Sequence, residues 1–213
     1  MSDGTGPGTE RGRGPYRTVA EPAAARFVVQ GSEFVGRVRP VDSVEAAEAF
    51  VEAVREEYAD ATHNVPAYRV RADPTGEFLR EYSSDDGEPS GSAGKPALNV
   101  LTQRDLENVA VVVTRYYGGT NLGVGGLVRA YSRAVKDAVD EAGVIEERPH
   151  ERLSITVEYD DSGTVRSVLE SEGYAFDADY GADVSFDVRV PIAEAEALRD
   201  RLRSATSGRV DLE

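Results

Sequence analysis

Residues 85–130 read DDGEPSGSAGKPALNVLTQRDLENVAVVVTRYYGGTNLGVGGLVRA. Two glycine-rich loops flank a continuous apolar run, Val109 to Thr114, and the second loop opens directly into a helical pattern. Eight of the chain's 21 glycines fall here: Gly87, Gly91, Gly94, Gly118, Gly119, Gly123, Gly125 and Gly126. Glycine weakens regular elements and is used where φ must be positive or where another backbone approaches closely. Eight of them around one strand predict a shaped backbone surface. The run from Val109 is apolar on both faces, which predicts a strand covered on both sides.

Upstream, Arg26–Val41 predicts two short strands around a turn at Gly31-Ser32. Asp42 with Glu45 three residues on has the pattern of a capping box. Val44, Ala47, Phe50, Val51, Val54 and Tyr58 then follow at helical spacing. Ala67–Ala72 and Phe78–Ser83 predict strands joined by a turn through Asp73-Pro74-Thr75-Gly76. A short helix is expected from about Pro96 to Gln103. A long one is expected from Gly125 or Gly126 to near Gly143, a natural end residue. Beyond EERPHE (Glu146–Glu151) the order becomes strand, helix, two strands, helix, strand, the βαββαβ signature of a ferredoxin-like sandwich. The expected organisation is α+β: a disordered leader over 1–20, one domain over 21–146 and a second over 152–213.

Composition narrows the chemistry. With 213 residues the chain can hold one large domain or two small ones. No cysteine is present, which excludes disulfides, thiol nucleophiles and Cys-ligated metal sites. Two histidines, His63 and His150, are too few for a multi-histidine centre. No apolar run reaches membrane-spanning length and the N-terminus has no signal core, so a cytoplasmic protein is expected. Net charge is −15, with lysine only at Lys95 and Lys136, a bias that resembles proteins of salt-rich cytoplasm. The charge is uneven: from Ser90 to Lys136 six cations face two anions, a local +4 that leaves −19 for the remainder.

The motifs carry two readings each. GSAGKP is not a P-loop, because Pro89 and Pro96 occupy the places of its first glycine and its Ser/Thr. No G-x-G-x-x-G fingerprint is present around Gly118–Gly126 either. Free N–H groups at a helix start near Gly123, Gly125 and Gly126 favour an anion, with Arg115 and Arg129 nearby; the bland alternative is tight strand–helix packing. Asp85, Asp86 and Glu88 have the chemistry to bind Mg²⁺ or to pair with His63 in acid–base work; the alternative is an acidic turn capping backbone N–H groups. Ser90 and Ser92 lack a nucleophile elbow. Tyr116 and Tyr117 suit stacking on bases or core packing.

Three segments, ATHNVPAYR (Ala61–Arg69), DDGEPSGSAGKP (Asp85–Pro96) and VVVTRYYGGTNLGVGGLVRAYS (Val111–Ser132), resemble the IMPACT/YigZ family, also called UPF0029. Departures are mild: Val65, Ser92, Tyr117 and Thr120 stand where relatives often carry other residues. The resemblance implies an N-terminal domain with the ribosomal protein S5 domain 2-like fold, to about Val144. It also implies a C-terminal ferredoxin-like domain of the kind labelled DUF1949. That pair looks like the fourth and fifth domains of translation elongation factor G, which implies ribosomal or tRNA contact. Eukaryotic members restrain the amino-acid-starvation kinase with an added RWD domain, for which these residues show no counterpart.

The leading expectation is therefore a non-enzymatic RNA- or ribosome-associated factor that regulates translation. Its anion- or RNA-binding positions would be Lys95, Arg115, Tyr116, Tyr117, Gly118, Gly119, Gly123, Gly125, Gly126, Arg129 and Arg133. Its partners would be the ribosome, rRNA or tRNA, or a translation-related protein, with no cofactor, metal or membrane. One rival is a hydrolase of a phosphorylated or peptide-like substrate using His63, Asp85, Asp86 and Glu88. Another is a protein-binding adaptor.

Overall fold

The computed structural model describes residues 14–71 and 78–213, so the start of the expected leader and the Asp73–Gly76 turn lie outside it. The chain divides into two compact units, Met1–Glu147 and Arg148–Glu213.

In the first unit the strands are β1 (Tyr16–Val19), β2 (Ala23–Val29), β3 (Ser32–Pro40), β4 (His63–Arg71), β5 (Leu79–Ser83), β6 (Val109–Tyr116) and β7 (Val144–Glu147). The helices are α1 (Val44–Glu57), α2 (Gly94–Gln103) and α3 (Gly123–Ala142). Five strands form one antiparallel sheet in the order β2-β3-β6-β4-β5. Tyr16–Val19 fall in the expected leader, yet they pair with β7, because Val19 is a core residue and holds this segment in place.

β6 is the middle strand, and its period of two sorts its side chains. Val109, Val111 and Val113 face the core formed with α2 and α3, against Leu101, Tyr131 and Val135. Ala110 and Val112 face the other side, where Ala47, Val51 and Val54 of α1 cover them. Each such buried valine contributes on the order of 1.5–3 kcal/mol relative to exposure. The cap of α1 is Ser43, one residue later than Asp42. Its backbone is extended and its Oγ accepts from the Ala46 N–H at 3.1 Å. Gly36 of β3 lies so close to α3 that a Cβ would sit 2.3 Å from the Ala134 carbonyl oxygen.

The β2–β3 hairpin turns at Gln30-Gly31, one residue earlier than the expected Gly31-Ser32. Both central residues have positive φ, 50° and 84°, the requirement of a type I′ turn. Ser32 is instead fully buried at the start of β3.

The second unit runs β8 (His150–Val157), α4 (Tyr159–Glu172), β9 (Phe176–Tyr180), β10 (Val184–Pro191), α5 (Ile192–Ala205) and β11 (Asp211–Leu212). Its antiparallel sheet has the order β11-β8-β10-β9, the ferredoxin-like arrangement. Leu153, Ile155, Val184, Phe186 and Val188 alternate inward against Val165 and Leu169 of α4 and Leu198 and Leu202 of α5. The chain as a whole is α+β.

Candidate functional site

The acidic loop before α2 is held by its own carboxylates. Asp85 Oδ1 accepts from the Ala93 and Gly94 N–H groups at 3.0 and 2.8 Å, and Oδ2 accepts from Gly91 N–H at 2.7 Å. Asp85 is thus a remote cap for α2, whose own cap position, Ala93, has no side chain to do it. Burial acts to raise the Asp85 pKa, but the three backbone N–H bonds outweigh it and hold the carboxyl below the usual carboxylate range. Gly94 is required here, since a Cβ would lie 2.5 Å from the Ser84 carbonyl oxygen.

Asp86 ties this loop to β4. Its Oδ2 accepts from Asn64 N–H at 2.6 Å, and its carbonyl oxygen lies 2.7 Å from His63 Nδ1. A carbonyl can only accept, so Nδ1 is the donor in this contact. That Nε2 lies 3.9 Å from Glu88 Oε1. The Asn64 side chain continues inward, taking the Thr114 hydroxyl at 2.7 Å and donating to the Tyr58 carbonyl at 3.0 Å.

Glu88 is the centre of a buried network. Its Oε1 accepts from Arg115 Nη1 at 2.6 Å and from the Tyr131 hydroxyl at 2.7 Å. Arg115 Nη2 donates to Ser32 Oγ at 3.2 Å, and its guanidinium lies over the rings of Phe34 and Tyr117. The Arg115 and Glu88 side chains are only 4% and 3% exposed, so their pairing is what makes burial of either charge tolerable. Burial, followed by the Glu88 bond, pushes the Tyr131 hydroxyl far above its ordinary pKa.

These contacts correct one expectation and narrow another. Arg115 faces inward, opposite Phe34 and His63 in the strand register, and its guanidinium is held from below by Glu88 instead of facing solvent. His63, Asp86 and Glu88 do converge, as acid–base pairing requires. The Asp86 contact is through its carbonyl, however, and the carboxylates of Asp85, Asp86 and Glu88 point to three separate donor sets. Among the described residues no three acidic or histidine side chains are grouped to hold a metal ion. Ser92 is buried and donates to the Pro89 carbonyl at 2.6 Å. The two network members missed as site residues, Ser32 and Tyr131, had a sequence signal only in Tyr131: a phenol on an apolar helix face needs a partner.

The second glycine loop packs backbone to backbone on the β2–β3 turn. A Cβ at Gly118 would meet the Gly31 carbonyl oxygen at 2.4 Å, and one at Gly119 would meet that of Gln30 at 2.3 Å. Ser32 Oγ donates to the Gly118 carbonyl at 3.2 Å, and Thr120 N–H donates to the Gln30 carbonyl at 3.0 Å. Tight packing thus explains Gly118 and Gly119. Gly123, with φ of 63° and open space around it, begins α3, and the Asn121 side chain accepts its N–H at 2.9 Å. The helix therefore starts two residues before the earlier of the expected positions, Gly125 and Gly126.

Glu88 joins Arg115 at the end of β6 to Tyr131 of α3, so both glycine loops and the starts of α2 and α3 share one end of the unit. Exposed there are Tyr117, Lys95 and Arg129, together with the backbone of Gly119, Gly123 and Gly125. Tyr116 is half-buried and donates to Asp60 at 2.8 Å, a bond that raises its pKa. Arg133 is exposed, lies 4.1 Å over the Phe27 ring and pairs with Asp137. Lys95 and Arg129 make no ion pair among the described residues. No helix among the described residues is long and apolar enough to cross a membrane.

Residues 30–139 match the Impact N-terminal domain, and residues 155–209 match a domain of unknown function, DUF1949. The chain is 32% identical over 198 residues to the IMPACT family member YvyE of Bacillus subtilis, covering 92% of this chain and 89% of that protein. It is 34% identical over 194 residues to YigZ of Escherichia coli, covering 91% and 94%. Protein IMPACT of Rattus norvegicus is 36% identical over 94 residues, 43% of this chain and 29% of that protein. Among solved structures, a crystal structure of a hypothetical protein matches with a TM-score of 0.67 at 33% identity, covering 93% of this chain and 96% of that one.

Proposed function

This chain belongs to the IMPACT family, and on that premise we propose that it is a non-enzymatic factor that contacts RNA of the translation machinery and regulates translation. The observation that carries the reading is the division of labour within the motif. The carboxylates of Asp85, Asp86 and Glu88 are engaged in holding a loop, while Lys95, Arg129 and Tyr117 stand exposed together with glycine backbone, the two cations without an ion pair among the described residues. Cations and backbone N–H groups suit phosphates, and an exposed tyrosine suits an unstacked base.

Co-sedimentation of the full chain with ribosomes at native-like salt tests it. Wild type is expected to pellet with the ribosomes, and Lys95→Ala with Arg129→Ala to lower that fraction while leaving the melting temperature near wild type. Loss of two phosphate contacts would flatten the slope of log affinity against log salt by roughly 1.5–2. Absence of wild-type association overturns the reading. Arg115→Ala is the wrong probe, because it leaves the Glu88 carboxylate buried without its cation and so mixes a loss of stability with any loss of binding.

A further inference from the structure

We propose that the outer edge of β2, with the groove between it and α3, is a docking site for an extended peptide of alternating apolar and acidic residues, which joins the sheet as a sixth strand. This site shares Arg129 with the RNA contact proposed above and otherwise rests on different observations.

The first is the edge itself. β2 is the terminal strand of the five-stranded sheet, reads AAARFVV over seven residues, and holds one charge and no proline. Long apolar edges invite another strand, and proteins ordinarily blunt them with charges, prolines or bulges. Here the pairing with β3 is regular from Ala23 to Val29, and Val28 is 65% exposed.

The second is the hydrogen-bonding parity. The two-residue turn makes Val29 and Ser32 a hydrogen-bonded pair, so the pairs Phe27–Phe34, Ala25–Gly36 and Ala23–Val38 are bonded as well. The N–H and C=O groups of Ala24, Arg26 and Val28 therefore point away from β3. Among the described residues no other backbone hydrogen-bonds to them.

The third is the groove, of about 210 Å³, which Phe27, Val29 and Leu122 line with Ala130, Arg129 and Arg133. Its size suits one or two side chains better than a whole small-molecule ligand. An added strand would place alternate side chains over its apolar floor, with Arg129 and Arg133 at its rim. Charge complementarity selects acidic residues for the positions nearest those arginines. It also argues against a second copy of the chain. A two-fold partner joined edge to edge would bring its own Arg129 and Arg133 onto the same face.

Selection of a displayed library of random ten-residue peptides on the full chain tests this. The expected result is enrichment of peptides that alternate apolar residues with Asp or Glu, and that slow hydrogen exchange at the Ala24, Arg26 and Val28 amides. Val28→Pro removes an outward donor without touching the β2–β3 bonds, so it should weaken a selected peptide at least tenfold with a near-wild-type melt. Arg133→Glu should weaken it at least tenfold independently. Lys95→Ala should leave peptide affinity unchanged although it lowers ribosome association, which separates this proposal from the RNA reading. No enrichment, or selected peptides that bind Val28→Pro and Arg133→Glu like wild type, would overturn it. Protection of the β2 amides that grows with protein concentration and no peptide would overturn it in favour of a second copy.

Discussion

In the first unit the polar and charged side chains taken out of water include Ser32, Asn64, Arg69, Arg71, Glu88 and Arg115. In the second unit only Asp161 and Thr206 are so placed among the described residues. The second unit is built by simple alternation, apolar side chains inward and charges outward, with 15 acids and eight arginines over residues 148–213. The first unit fixes loop shape with an internal polar network, from Asp85 through Asp86, His63 and Glu88 to Arg115 and Tyr131. Burying such groups is unfavourable unless every one finds a partner. The first unit does so around its two glycine loops, where among the described residues Arg115 Nε is a buried atom left without a hydrogen-bond partner. It does so again where Arg69 donates to the Leu106 carbonyl and Arg71 to Glu107, whereas the second unit carries a core without a comparable network.

If that contrast is right, the largest effect belongs to Glu88. Glu88→Gln removes the partner of a buried guanidinium and should cost about 3–5 kcal/mol by urea or thermal unfolding of the first unit. No polar substitution in the second unit should approach it; a surface exchange there with an equal cost would break the comparison. Next comes Asp85→Ala, which leaves three loop amides without their acceptor and should cost about 1 kcal/mol. Because the folded carboxyl titrates below its unfolded value, this contribution is present above pH of about 4 and is lost as pH falls through the folded pKa. The gap in melting temperature between wild type and Asp85→Ala should therefore close on acidification. The smallest effect is in the second unit, where Asp187 and Asp177 stand directly opposite on neighbouring strands. Asp187→Asn relieves that repulsion and should stabilise by a few tenths of a kcal/mol.

The strand and helix pattern was legible because periodicity reports burial. Val109–Thr114, apolar on both faces, is the middle strand, and the alternation after residue 150 is the second sheet. Element starts were less so. The cap of α1 shifted by one residue because Ser43 and Asp42 are equivalent signals until the backbone selects one. The candidate site was legible in residue type but not in direction. Arg115 and Glu88 lie 27 residues apart, and only the β4–β6 register and the loop between β5 and α2 bring them together. Local sequence holds no mark of that pairing. The β2 edge escaped notice because an edge strand and an inner strand of similar composition look alike until strand order is known.

The contact between Gly31 and the Gly118–Gly119 pair has a kinetic side. Ser32 and Gly118 are 86 residues apart in the chain, and their hydrogen bond closes a loop that holds β3, α1, β4, β5, α2 and the whole of β6. Closure over that span carries its entropy cost before any contact repays it, which slows assembly of such topologies. The packing of Gly118 and Gly119 on the β2–β3 turn thus forms only once β6 is in place beside β3. On the function proposed above, contact with RNA would follow that closure and would not precede it.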